Sequence, residues 1–152
     1  MIIGRLPYRS DLVRGLNKLA QDQGIQAGVV QVIGSLGRAR LSFFDQKMRA
    51  YRELDFDAPH EIVSGTGNIS RRDGKPTVHL HLAVADSEGR VVGGHCLEGC
   101  LVYAVEFAIW PFAGKTPQRA PDGATGLLLW EDGLYREEEA SAVERPGLDT
   151  AE

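Results

Sequence analysis

Apolar residues in the first part of the chain recur at helical spacing: Leu12, Val13, Leu16, Leu19 and Ala20. That three-to-four repeat predicts one amphipathic helix. Ser10 is the expected N-cap, with Asp11 in the first turn, where a negative charge suits the helix dipole. Gly24 follows as the expected C′ residue. A short strand over residues 2–6 precedes the helix. After the helix the pattern changes to strands. Residues 25–33 are rich in β-formers, among them Val29, Val30, Val32 and Ile33. Gly34-Ser35 is expected to break that run. Residues 38–44 alternate, with Ala39, Leu41 and Phe43 set against Arg38, Arg40 and Ser42.

Further strands are expected over residues 49–56, 61–70, 77–85 and 90–92. Gly65 and Gly67 mark a bulge in the second of these, and Asp73-Gly74 is a hairpin turn. Residues 98–110 read as the longest strand. Residues 113–123 read as a loop bearing proline and glycine, and 126–130 as a last strand. One helix followed by many antiparallel strands predicts a single α+β domain over residues 3–135. Residues 136–152 carry six acidic and two basic residues and little apolar content. They read as an acidic, flexible tail.

The strand at 98–110 has two faces. Leu101, Tyr103, Val105, Phe107 and Ile109 form one; Val102, Ala104, Glu106, Ala108 and Trp110 form the other. Both are mostly apolar, so a second covering layer is expected, supplied by another subunit or by the helix and the long loop. Glu106 is the one carboxylate on its face and needs a partner if buried.

Composition narrows the class. At 152 residues, with 43% hydrophobic and 25% charged residues, the chain suits one soluble domain. No apolar run reaches the length of a membrane span, and the start lacks a signal peptide's apolar core. The expected compartment is the cytoplasm. Cys96 and Cys100 read as small buried hydrophobes in a reducing environment. The net charge of −4 resides in the last seventeen residues, leaving fifteen charges of each sign in the rest. A neutral body without a basic tail argues against duplex DNA, whose affinity rests on Lys and Arg.

The chemistry concentrates in His79-Leu80-His81 and Gly93-Gly94-His95. Residues two apart in a strand share a face, at roughly 6.6 Å. The paired glycines are expected to form a turn that brings the third imidazole in. Three protein ligands with one open position is the pattern of catalytic zinc. On spacing alone, metal ligation and ordinary half-buried strand histidines both stand open. His60, after Pro59, reads as a surface residue. Ser64-Gly65-Thr66-Gly67 lacks the ending of a phosphate loop, and there is no nucleophile elbow.

Several segments together resemble the PPC domain, the plant and prokaryote conserved domain. They are Ile33-Gly34-Ser35-Leu36, Glu61-Ile62-Val63-Ser64, Gly67-Asn68-Ile69-Ser70 and Asp73-Gly74-Lys75-Pro76. The series continues with His79-Leu80-His81, then Gly89-Arg90-Val91-Val92-Gly93-Gly94-His95, Glu98-Gly99 and Glu106. The likeness spans roughly residues 3–110. It implies a compact α+β fold with an antiparallel sheet, homotrimers, and a metal held by His79, His81 and His95. Stand-alone prokaryotic members often carry a DNA-binding label, because plant members follow AT-hook segments. This chain has no Arg-Gly-Arg-Pro hook, so the resemblance implies an assembly or regulatory module. The fold is also similar to that of acetolactate decarboxylase, which places zinc on three histidines. That analogy implies an alternative: a zinc-dependent lyase or hydrolase on a small carbonyl or carboxylate substrate. Glu106 would then be the acid/base, and Arg38 or Arg40 would receive a carboxylate. Nickel, iron or cobalt would suit the same ligands.

Overall fold

One strand organises the molecule. In the computed structural model, which describes residues 1–137, β2 (Gly28–Asp45) runs for 18 residues. Before it come β1 (Ile2–Arg5) and the helix α1 (Leu12–Asp22). After it come β3 (Ala50–Phe56), β4 (His60–Arg72), β5 (Lys75–Ala85), β6 (Val91–Cys96) and β7 (Leu101–Pro111). A short hairpin follows, of β8 (Arg119–Pro121) and β9 (Leu128–Trp130). The first seven strands form one antiparallel sheet, ordered β1-β7-β2-β4-β5-β6, with β3 on β2. This is the expected mostly antiparallel α+β architecture. The expected acidic tail lies outside the described residues from 138 onward.

The expected break at Gly34-Ser35 is instead a bend within β2. Gly34 has φ 124°, and a Cβ there would lie 2.0 Å from the Ala104 carbonyl oxygen. The pairing with β4 shifts between Val32 and Gly34, and the pairing with β7 shifts around Leu36. Such bulges bend a strand and increase its twist. Beyond the bend, Leu41 pairs with Cys96 and Ser42 with His95. The strands β2, β4, β5 and β6 thereby close into a ring, which brings β6 to the site described below.

The bulge expected at Gly65 and Gly67 lies slightly earlier, between Ile62 and Ser64. The two glycines serve close approach instead. A Cβ on Gly65 would meet the Val32 side chain at 2.3 Å, and one on Gly67 the His79 carbonyl oxygen at 2.1 Å. Asp73-Gly74 does form the β4–β5 hairpin turn, with φ of 51° and 76°. Both central residues thus have the positive φ that a type I′ turn requires.

The core lies on one face of the sheet. Val30, Val32, Leu36, Leu41, Ile69, Leu80, Val84, Val105 and Ile109 pack there with Leu12 and Leu16 of α1. Each of those buried leucines contributes about 1.5–3 kcal/mol. Asp11, one residue beyond the expected cap, is the N-cap: its carboxylate accepts from the Arg14 and Gly99 backbone N–H groups. The Ser10 hydroxyl turns back to the Pro7 carbonyl. At the other end Ile25 N–H bonds Ala20 O and Gly24 N–H bonds Gln21 O, a Schellman motif with Gly24 at C′.

β7 is shorter than expected and yields in length to β2. Val105, Phe107 and Ile109 face the core as alternation predicts. Val102 also faces it, because the bulge opposite Leu36 reverses the alternation and turns Leu101 and Tyr103 outward. His60 is buried rather than on the surface. Its Nδ1 bonds Ala58 O at 2.9 Å and its ring packs on Phe56. Cys96 and Cys100 are both buried and free, as expected.

Candidate metal centre

His79 and His81 stand on β5, on the face opposite the buried Val78, Leu80 and Leu82. His95 stands on β6, directly across from His81. It is held by a strand, not by the glycine turn expected from sequence. The two glycines have another task. A Cβ on Gly93 would lie 2.9 Å from the Leu82 carbonyl oxygen, and one on Gly94 would lie 2.7 Å from that of Ser42. They let β6 pass closely between β5 and β2.

The structure brings all three predicted ligands together. One nitrogen from each ring lies within 4.8 Å of the other two. Zinc at about 2.0–2.1 Å from each nitrogen in a tetrahedral site places them about 3.3 Å apart. Ligation would draw the three nitrogens closer than they stand here. His79 and His95 are half-buried, while His81 is exposed. Burial, reinforced by the Arg119, His95 and His81 charges, lowers the His79 pKa to about 4. Burial also lowers that of His95, with further contributions from His81 and Arg119. Both rings are therefore neutral at pH 7, the form that has a lone pair to give to a metal. His95 Nδ1 is buried without a hydrogen-bond partner, as is the Ser42 hydroxyl on the paired position of β2. A buried ring nitrogen left without a partner, on a histidine grouped with two others, suits a metal ligand. The donor set therefore fits a divalent transition metal.

A residue not anticipated from sequence completes the site. Arg119 reaches over this face from β8. It donates through Nε to Ser70 Oγ at 2.9 Å, through Nη1 to Leu128 O at 3.0 Å and through Nη2 to Asn68 Oδ1 at 2.9 Å. Nη2 also lies 3.1 Å from His79 Nδ1. No carboxylate among the described residues pairs with this guanidinium. Trp130 lies beneath it at 6.0 Å, and the Tyr51 ring lies 5.9 Å from that of His95. Arg119 falls in the segment read as a loop, and only the Asp122-Gly123 pair between two short runs hinted at a hairpin there.

The other predicted site residues lie elsewhere. Glu106 is on β7, separated from β5 in the sheet by β2 and β4. It is exposed and lines a separate groove of about 680 Å³ with Ile3, Arg5, Ile33 and Ala108. Arg38 is engaged by Asp55, and Arg40 by Glu53 and Asp55.

Comparison with known proteins follows the same lines. Residues 1–113 match the model of the Plants and Prokaryotes Conserved (PCC) domain. The chain is similar to a metal-containing protein from Archaeoglobus fulgidus, 36% identical, with a TM-score of 0.83 over 86% of this chain and 92% of that one. It is also similar to a plant- and prokaryote-conserved (PPC) protein from Pyrococcus horikoshii, 29% identical, with a TM-score of 0.82 over 86% and 90% of the two chains. A curated relative, Bifunctional protein GlmU from Synechococcus sp. (strain JA-3-3Ab), is 39% identical over 126 residues, which are 82% of this chain and 19% of that one. The chain thus spans about a fifth of the length of the curated relatives it matches.

Proposed function

Since the chain belongs to the Plants and Prokaryotes Conserved (PCC) domain family, we propose that it is a metal-binding member with a regulatory or assembly role. His79, His81 and His95 hold one divalent transition metal, zinc by preference of its nitrogen ligands. The observation that carries this reading is the convergence of three imidazole nitrogens within 4.8 Å, with His95 Nδ1 lacking any other partner. The Archaeoglobus fulgidus relative, described as metal-containing, supports it.

The chain acts as a homo-oligomer, a trimer by family likeness. Support comes from the sheet face opposite the core, where Ile3, Val29, Ile33 and Trp110 are all exposed. Exposed apolar patches of this kind are normally covered by a partner. No helix among the described residues is long and apolar enough to cross a membrane. The two free thiols suit a reducing cytoplasm. With a body of balanced charge, direct binding to DNA is not part of this proposal.

A second reading is a zinc-dependent lyase or hydrolase on a small carbonyl or carboxylate substrate, on a fold like that of acetolactate decarboxylase. The position of Arg119 beside His79 favours it. A metal here would act as a Lewis acid. Glu106 as acid/base belongs to this reading only if a partner subunit brings it to the histidines.

The test is the metal content of the purified protein, with sedimentation to count subunits. We expect about one metal per chain, lost when all three histidines become alanine. Protein that carries no metal, and gains none with added zinc, refutes the proposal.

A further inference from the structure

Arg119 and a metal cannot both engage His79 as the structure has them. An arginine has no acceptor, so its Nη2 must donate and His79 Nδ1 must accept. A neutral imidazole has one lone pair in the ring plane and one N–H. With the Nδ1 lone pair given to Arg119, Nε2 carries the proton and has none left for a metal. If the metal takes Nδ1, that atom is occupied. If it takes Nε2, Nδ1 carries the proton and must itself donate, as the second nitrogen of a ligating histidine normally does. In either case the Arg119–His79 bond breaks.

Arg119 stays nearby when it does, because Ser70, Asn68 and Leu128 still hold it. It then has N–H groups to spare beside a divalent cation. None of the four groups that line the site, the three histidines and Arg119, is an anion. No carboxylate among the described residues pairs with Arg119 or joins the histidine cluster, so two adjacent cationic centres need a negative charge from elsewhere. Resting on the metal reading above, we infer that metal loading releases Arg119 from His79 and creates a site for a small oxyanion, a carboxylate or phosphate group. The anion lies beside the metal, and Arg119 donates to it. In the metal-free chain the guanidinium occupies that place and competes with the metal. Arg119 lies beyond the family-matched residues 1–113, on the hairpin that follows them.

The test loads the full chain with cobalt(II), whose visible spectrum responds to its ligands. The loaded protein is titrated with acetate and, separately, with inorganic phosphate at constant ionic strength. Saturable spectral change with either anion is expected; a response to acetate alone assigns carboxylates, and to phosphate alone phosphate groups. Arg119→Gln should weaken that anion binding by at least about tenfold, the loss of a charge-assisted hydrogen bond. The same variant should bind cobalt severalfold more tightly, because a competing cation is gone. If Arg119→Gln does not fold, Arg119→Lys replaces it, with a severalfold loss of anion affinity expected because an ammonium lacks the guanidinium fork. Equal anion affinity with and without Arg119, or a cobalt spectrum indifferent to both anions, overturns the inference and leaves the metal site standing. A chain that binds no cobalt overturns the metal reading and the inference together.

Discussion

His81 and His95 are direct partners across the β5–β6 ladder, their ring centroids 5.5 Å apart. The ring of His79 lies 4.9 Å from that of His95. The triad is therefore a property of strand register. Shifting β6 by one residue would turn His95 to the core face and Cys96 outward. Whatever holds β6 in place holds the metal site.

Gly94 is one such element, with its missing Cβ only 2.7 Å from the Ser42 carbonyl oxygen. Gly94→Ala should push β6 off β2 and displace His95. Overpacking of this kind costs about 1–3 kcal/mol. Urea denaturation should register that loss, and zinc titration should show weakened affinity. Wild-type zinc affinity in a folded Gly94→Ala protein would mean that the β2–β6 contact does not position His95.

Gly34 acts at longer range. Alanine there would bring a Cβ to 2.0 Å from the Ala104 carbonyl oxygen, at a φ of 124°. Both steric clash and backbone strain oppose it. The expected loss is about 3 kcal/mol or more. Because the bend at Gly34 lets β2 meet β6, the variant should lose metal affinity as well as stability. A variant that melts like the parent would show that β2 can bend elsewhere.

The H-x-H pair and the C-terminal end of α1 were legible because they depend on near neighbours. Two-residue spacing puts His79 and His81 on one face wherever the strand lies, and the helix stops at Gly24 through the bonds of Gly24 N–H to Gln21 and Ile25 N–H to Ala20 nearby. The Asp73-Gly74 turn is local in the same sense. Gly34-Ser35 was not legible, since a glycine-serine pair can end a strand or bend it. The deciding contact is the Ala104 carbonyl on β7, distant in sequence. Gly93 and Gly94 resemble a turn for the same reason: the strands that crowd them come from elsewhere in the chain. Arg119 had no local signal, because its partners Asn68, Ser70 and His79 belong to β4 and β5.

Cys96 and Cys100 lie with Sγ atoms 3.5 Å apart, both inside the core cluster. The Cys100 sulfur and burial raise the Cys96 pKa, so its thiol stays protonated. Only the thiolate is nucleophilic. The Cys96 hydrogen bond lowers the Cys100 pKa instead, but Cys100 is fully buried, so neither cysteine should react appreciably with iodoacetamide in the native protein over hours, and both should react in urea. Mass spectrometry reads the outcome. Rapid native alkylation of Cys96 would show that β6 opens readily, against the tight packing described.

His81 offers the cleanest separation of metal binding from folding, because it is the exposed member of the triad. Exposed substitutions generally change stability by less than about 0.5 kcal/mol. Metal-free His81→Ala should therefore melt close to the parent. The parent should respond to zinc, since a ligand at one hundred times its Kd stabilises the native state by about 2.7 kcal/mol. For a domain of this size that raises Tm by roughly 5–11 °C. Chelation with EDTA should reverse the shift, and His81→Ala should lose most of it, having two ring ligands in place of three. Calorimetry with and without zinc measures all four states. A zinc shift of equal size in parent and variant would place the bound metal away from this triad.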